Sequence, residues 1–546
     1  MENTLYYGDN LDILKRYIKD ESVDLIYVDP PFNSNQNYNV LFKEKDGAQA
    51  ASQIQAFEDT WTWGHDDEAV YAELVTAGGK VADVMQAFRT FLGPCDMLAY
   101  LVMMAPRLVE MRRVLKSTGS IYLHCDPAAS HYLKMLMDAV FGPERFLNEI
   151  IWQRTTSKGL MTRRLSRNHD VILSYQLGDN ATWNLDETFK PYDIDNLDDK
   201  TESKYRLRDA DGRLYQLDNL INPNPDRPNL TYEFLGVTKV WRWTKARMEE
   251  AYRKGLVVQP GPGKVPRLKR YLDEQRGKPF GDVWTDIFPI NSQAAERLGY
   301  PTQKPQSLLE RIIRMSSNDG DLVLDPFCGC GTTIAAAQRL NRQWIGIDIT
   351  FLAMTLMKER LRDAFGESGQ FKVVGEPVSV PDAAALAASE PYQFQWWALG
   401  LVGARPVEGK KGADKGIDGK IVFKADAAGK FETVILSVKA GHVTANHVRD
   451  LRGVVEREKA AIGVLISMED PTKPMQTEAV TAGFHESPMW NRKYPKIQLL
   501  TVADLLDGKK IDMPPVRQVG ATFKKAPKAS QKRVETGELP LVEDGE

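Results

Sequence analysis

The stretch Asp24-Leu25-Ile26-Tyr27-Val28-Asp29-Pro30-Pro31-Phe32 constrains this chain more than any other. An apolar, β-prone run reads as a buried strand, and two prolines stop it at its carboxyl end because proline has no N–H for the ladder. The chain must leave the sheet there, with carbonyls free to accept from another group. A carboxylate, a carbonyl and an aromatic ring on the rigid turn of Pro30 and Pro31 suit a flat heterocycle that carries an amino group. Asp29 can accept one amino hydrogen, the Pro30 carbonyl the other, and Phe32 can stack on the ring. The tetrapeptide alone also fits an ordinary strand end. A second stretch decides between the two.

That stretch starts at the short buried strand Asp321–Leu324 and continues as Asp325-Pro326-Phe327-Cys328-Gly329-Cys330-Gly331-Thr332-Thr333. An alanine-rich helix (Ile334–Leu340) and a strand (Gln343–Ile347) ending at Asp348 follow. Strand, glycine turn, helix, strand and acid form the half-fold that holds a nucleoside cofactor at the carboxyl edge of a parallel sheet. Gly329 and Gly331 let the backbone approach a ligand, and Asp348 stands where an acid accepts both ribose hydroxyls. A dinucleotide site would want a third glycine where Ile334 stands. An acidic turn repels pyrophosphate but suits a cofactor bearing an ammonium and a sulfonium. The pattern therefore points to S-adenosylmethionine rather than NAD.

Between these stretches the pattern is α/β. Gly8-Asp9-Asn10 leads into a helix with Leu11, Leu14 and Ile18 on one face, and helix Tyr100–Leu115 leads into the strand Ser120–Asp126. His124 and Asp126, at the end of that strand, are read as caps of the next helix rather than as site residues. Residues 40–95, with Trp61 and Trp63, read as a polar insertion. Residues 155–290 interleave cations (Arg163, Arg164, Arg167, Lys264, Arg267, Lys269, Arg270) with aromatics such as Trp241 and Trp243. That mixture fits a nucleic-acid contact module, since phosphates need cations and unstacked bases need flat partners. With a net charge of -3, such binding must come from local basic faces, not a global excess. The four cysteines show no paired metal spacing; Cys328 and Cys330 read as small packing residues. No run approaches a membrane span, so the expectation is a soluble cytoplasmic protein.

The two stretches together resemble the amino-group DNA methyltransferases in the permuted arrangement called the beta class. There an Asp-Pro-Pro-Phe/Tyr sequence precedes the cofactor turn, with a target-recognition insertion between them. The resemblance covers most of residues 1–365. It implies that Asp29, Pro30, Pro31 and Phe32 are catalytic. It also implies that Asp9, Asn10, Lys304, Asp325, Phe327, Gly329, Gly331, Thr332 and Asp348 bind S-adenosylmethionine. An aspartate in first place goes with N6-adenine targets, and double-stranded DNA is the implied partner, with the base flipped out to be reached. Cytosine N4 and a non-catalytic DNA-binding role are the alternatives. A homodimer is left open.

Beyond Leu361 a second α/β pattern follows: helix Tyr392–Leu401, strands Lys420–Phe423 and Thr433–Lys439, helix Val448–Glu458 and strand Ala461–Ser467. Asp418 with Ser437-x-Lys439 on the partner strand resembles the PD-(D/E)xK restriction-endonuclease-like family, in which two carboxylates bind Mg2+ and a lysine assists the attacking water. Ser437 stands where a carboxylate or amide is usual. An active nuclease with Mg2+ at Asp418, helped by Glu390 or Asp414, and an inactive DNA-holding fold are both open readings.

The expected architecture is α/β. A permuted Rossmann-like S-adenosylmethionine-dependent methyltransferase domain takes residues 1–155 and 290–370, with the target-recognition region inserted over 156–289. A linker over 371–390, a small α/β restriction-endonuclease-like domain over 391–512 and a disordered tail over 513–546 complete it.

Overall fold

The computed structural model describes the chain apart from residues 1, 32–62, 157–164, 292, 293, 295, 299, 301, 408–415, 425–430, 488–490 and 515–546. Phe32, Trp61, Arg163, Arg164, Asp414 and nearly all of the tail lie outside the described residues. Two compact units are present, one of residues 1–183 with 282–546 and the other of residues 184–281.

The first unit is built on a nine-stranded sheet. Its strands lie in the order Val283–Trp284, Phe146–Gln153, His169–Gln176, Leu115–Cys125, Val23–Val28, Leu322–Asp325, Gln343–Asp348, Thr4–Tyr7 and Lys372–Val374. All pairings are parallel except the two made by His169–Gln176. Strand Val23–Val28 is central and buried on both faces, which is why it reads as a continuous apolar run rather than an alternating one. One face is covered by helices Asn10–Tyr17, Asp96–Val114 and Ser130–Phe141, the other by Gln306–Ser316 with Leu308, Leu309, Ile312 and Ile313 turned inward. The Asp24 carboxylate accepts from Lys116 Nζ at 2.8 and 2.9 Å and from the Leu322 N–H at 2.9 Å, so three neighbouring strands are tied at their entry.

Several boundaries differ from expectation. Strand His169–Gln176 belongs to the main sheet and Val283–Trp284 pairs at its edge, so the inserted unit is 184–281, narrower at both ends than 156–289. The polar stretch before Cys95 holds helices His65–Ala77 and Gly79–Leu92. The segment 371–390 is not a linker. It carries the sheet's edge strand Lys372–Val374 and a helix, Val380–Ser389, capped by the Ser379 hydroxyl. Among the described residues no helix is long and apolar enough to cross a membrane.

The C-terminal module, in the same unit, is a five-stranded sheet ordered Arg405–Pro406, Gly419–Lys424, Phe431–Lys439, Ile462–Ser467 and Ile497–Thr501. Helices Pro391–Leu401 and Ala445–Arg457 bury apolar faces against it.

The unit 184–281 has its own small core of Leu220, Phe234, Trp241, Met248, Ala251 and Val257. Trp241 is fully buried and its indole N–H donates to the Tyr232 carbonyl at 2.8 Å, so this ring is a core residue rather than a surface for bases. Lys269 and Arg270 are paired with Asp209 and Asp218. An open cavity of about 780 Å3 in this unit is lined by Phe189, Tyr192, Lys204, Tyr205, Arg270 and Arg276 among others.

Candidate active site and cofactor edge

Four adjacent parallel strands end together. In register, Leu324 lies beside Ile26, Asp325 beside Gly346, and Tyr7 beside Asp348. The residues that leave the carboxyl ends of these strands are therefore Asp29, Asp325, Asp348 and Gly8-Asp9-Asn10. The two distant stretches meet at one edge.

Asp29 and buried Pro30 leave the sheet as two prolines require. Both Asp29 oxygens accept from Lys304 Nζ, at 2.7 and 2.6 Å. Lys304, which the resemblance places at the cofactor, has its ammonium on Asp29 at the same edge. The Lys304 side chain is 11% exposed, and its two bonds fix the direction of the carboxylate.

The glycine turn is shaped by two left-handed residues. Gly329 has φ +49° and Gly331 φ +73°, and a Cβ at Gly331 would come within 2.6 Å of Met357 Cγ. The Gly329 N–H donates to Asp348 Oδ2 at 2.9 Å, while Asp348 Oδ1 accepts from the Thr350 N–H at 2.8 Å and its hydroxyl at 2.9 Å. The Ile349 N–H donates to the same carboxylate, so the turn that follows Asp348 fixes its direction. Tyr300, buried, lies against Gly329.

Asp325 is buried, with Oδ1 accepting from the Phe327 N–H at 3.1 Å. Burial pushes its pKa up to about 7; the Thr333 hydroxyl and the Phe327 N–H pull it down, and the charges of Asp29 and Asp348 push it up further. Burial also raises the Asp348 pKa, against the Thr350 and Gly329 donors. Three carboxyl groups at one edge suit a cationic ligand and oppose pyrophosphate, so these residues fit S-adenosylmethionine.

Asp9 caps helix Asn10–Tyr17 through the Leu11 N–H, and Asn10 Nδ2 donates to the Pro326 carbonyl at 2.8 Å, steadying the acidic turn. Phe327 packs at the margin of the main core. Thr332 is buried at the first turn of helix Thr332–Arg339. Two arginines that sequence patterning missed hold these parts. Arg107 donates to Asn10 Oδ1 at 2.5 Å and Asp9 Oδ2 at 2.7 Å; buried Arg360 donates to the Cys330 carbonyl at 3.2 Å and Thr332 Oγ1 at 3.1 Å. No local pattern marks either residue, since each acts across the fold. His124 is not a cap: its Nδ1 is 2.8 Å from the Tyr27 hydroxyl and its Nε2 3.1 Å from Asp170, in a buried chain beneath the edge. Asp126 does cap, accepting from the Ala128 and Ala129 N–H groups.

In the C-terminal module Asp418, Ser437 and Lys439 come together. Asp418 Oδ2 accepts from the Val438 N–H at 2.6 Å and the Ser437 hydroxyl at 3.1 Å, with Lys439 Nζ 3.7 Å away. The carboxylate thus serves the backbone and a hydroxyl. Glu390 lies instead close enough to Tyr7 to raise its pKa. Among the described residues no group of three His, Cys, Asp or Glu side chains could hold a metal ion, so the expected Mg2+ at Asp418 finds no support.

The sheet, its acidic edge and the strand that ends at Asp29-Pro30-Pro31 have the parts of an amino-group DNA methyltransferase. Residues 23–359 match the N6_N4_Mtase family model, described as DNA methylase, and the chain belongs to that family. Residues 393–507 match a model described as a NACHT-associated inactive restriction endonuclease. Among curated relatives, type II methyltransferase M.EcaI of Enterobacter cloacae is 29% identical over 402 residues, covering 72% of this chain and 77% of the relative. The StyLTI Mod subunit, a type III restriction-modification enzyme of Salmonella typhimurium, is 23% identical over 68% of this chain, which spans 55% of that relative. A solved putative DNA modification methylase from Thermus thermophilus, complexed with S-adenosyl-L-methionine, covers 69% of this chain and 99% of its own at 18% identity and a TM-score of 0.32, too loose to bear on the site. The protein is an S-adenosylmethionine-dependent DNA methyltransferase.

Proposed function

We propose that the chain methylates the N6 amine of an adenine flipped out of duplex DNA, in the cytoplasm. The observation that carries this reading is Asp29, paired with Lys304, standing at the strand end beside Asp325. Asp29 in first place of the tetrapeptide, rather than serine, favours adenine through the family resemblance.

Bound S-adenosylmethionine supplies a methyl group made electrophilic by its sulfonium. Gly329, Gly331, Asp325 and Asp348 would hold it. The adenine amine is a poor nucleophile because its lone pair is delocalised into the ring. Asp29 accepting one N–H and the Pro30 carbonyl the other favour a pyramidal nitrogen whose lone pair is free to attack. A fixed amine gains rate from orientation, and the fixed carboxylate steadies the charge that develops on nitrogen. The proton shed by the amine has an Asp29 oxygen as its first acceptor. Unit 184–281, with cations and aromatic rings around its cavity, is suited to phosphates and bases. Nucleoside analysis of duplex DNA incubated with the chain is expected to give N6-methyladenine; N4-methylcytosine would overturn the assignment of the base.

We propose that the C-terminal module does not cleave DNA, because Ser437 stands where the second carboxylate is usual and residues 393–507 match a model described as an inactive restriction endonuclease. Incubation of unmethylated duplex with Mg2+ is expected to leave it intact, with Lys439→Ala indistinguishable from wild type. Cleavage that Lys439→Ala removes would show the opposite.

A further inference from the structure

The nuclease-like module touches the edge that carries Asp348. Helix Phe351–Phe365 begins two residues after Ile349, directly beyond the turn that presents Asp348. Thr350 binds the Asp348 carboxylate through both its N–H and its hydroxyl. The next N–H, that of Phe351, donates to Gln393 Oε1 at 3.3 Å, a side chain on helix Pro391–Leu401 of the C-terminal module. The Phe351 ring stacks on Tyr7, with centroids 3.7 Å apart, yet it is buried in the hydrophobic cluster of the C-terminal module, with Phe394 and Trp397. Tyr7, which ends the neighbouring strand, packs on that same cluster. The helices approach so closely that a Cβ at Gly400 would lie 2.8 Å from Thr355 Oγ1.

We infer that the nuclease-like module is a positioning element of the cofactor site, in which Gln393 fixes the Thr350–Phe351 turn and through it the Asp348 carboxylate. The inference rests on the reading that Asp348 binds S-adenosylmethionine. An N–H at the first turn of a helix has no partner within the helix, so an acceptor from outside decides how that turn sits. Because Thr350 holds Asp348 Oδ1 through two hydrogen bonds, rotation of this turn rotates the Asp348 carboxylate with it. Gln393 touches no ligand in this scheme; it acts through Phe351 and Thr350.

The test uses the full chain with Gln393→Ala, Gln393→Glu and Gly400→Leu. A single hydrogen bond of this kind predicts that Gln393→Ala weakens S-adenosylmethionine binding by roughly three- to tenfold, with kcat and the KM for duplex DNA within about twofold of wild type. Gln393→Glu keeps an acceptor for the Phe351 N–H and is expected to restore the affinity. Gly400→Leu pries the helices apart and is expected to weaken binding further. Unchanged cofactor affinity in Gln393→Ala, or a Gln393→Glu no better than alanine, would overturn the inference. A wild-type chain that binds no S-adenosylmethionine would overturn the cofactor reading itself, a separate result seen before any variant is made.

Discussion

Replacing Asp29 with asparagine is expected to lower kcat for methyl transfer by roughly a thousandfold, the scale seen when a fixed electrostatic contact to a reacting centre is lost. Asparagine keeps the shape of the side chain but offers one acceptor oxygen in place of two, and no charge. Its amide N–H2 also points donors toward an amine that needs an acceptor. Binding of S-adenosylmethionine is expected to stay within about threefold, because the loss of one charge is felt only through the shared acidic edge. Asp29→Ala should be equally inactive and less stable. It leaves the Lys304 ammonium largely buried without its carboxylate, a defect that costs about 1–3 kcal/mol. Methyl transfer to duplex DNA, measured beside cofactor binding, separates the outcomes. An Asp29→Asn chain that methylates at the wild-type rate would remove Asp29 from the mechanism.

The elements that could be read from sequence are those whose local pattern and tertiary role coincide. Strand Val23–Val28 is buried on both faces, so its apolar run and its proline stop were legible without knowing its neighbours. The glycine turn and Asp348 were legible because backbone geometry there demands particular residues. Asp418, Ser437 and Lys439 converged as expected because hairpin pairing fixes them. What sequence did not reveal depends on partners far along the chain. Lys304 looked like a cofactor contact, and only the packing of helix Gln306–Ser316 against the sheet brings its ammonium to Asp29. Trp241 looked like a base-stacking ring and is instead the centre of a small core. Strand His169–Gln176 falls within the span 156–289 that reads as the insertion, yet it pairs with Leu115–Cys125. The alanine, valine and proline around helix Val380–Ser389 read as a linker. The start signal of that helix was present, since the Ser379 hydroxyl caps the Asp382 N–H with Pro381 in the first turn.

The cofactor edge is also expected to bind S-adenosylmethionine with a strong dependence on pH. The Asp325 carboxyl, held up to about 7 by burial, is largely protonated in the ligand-free protein at pH 6. Asp29, Asp348, Tyr27 and Cys328 face it and bring no positive charge, the Thr333 hydroxyl and the Phe327 N–H are neutral donors, and the Lys304 ammonium at this edge sits on Asp29. A cationic ligand supplies that charge and favours the carboxylate, so binding below pH 7 releases a proton. Affinity should therefore rise by up to about tenfold per pH unit from pH 5.5 to 7 and level off above. Stability of the ligand-free fold runs the other way. An unfolded aspartate titrates near about 3.9, so the contribution from Asp325 is full below that value and is lost as pH rises through about 7, a change of up to about 4 kcal/mol. Asp348, also raised by burial, adds in the same direction. Asp325→Asn should flatten most of both dependences, leaving the part due to Asp348. Calorimetric titration with S-adenosylmethionine in two buffers of different ionisation enthalpy at pH 6 reads the released proton directly, and thermal unfolding of the free chain from pH 5 to 8 reads the loss of stability. An affinity that is level from pH 5.5 to 8 with no proton released would place the negative charge on Asp325 already in the free protein, and the acidic edge would then be held by cations other than its ligand.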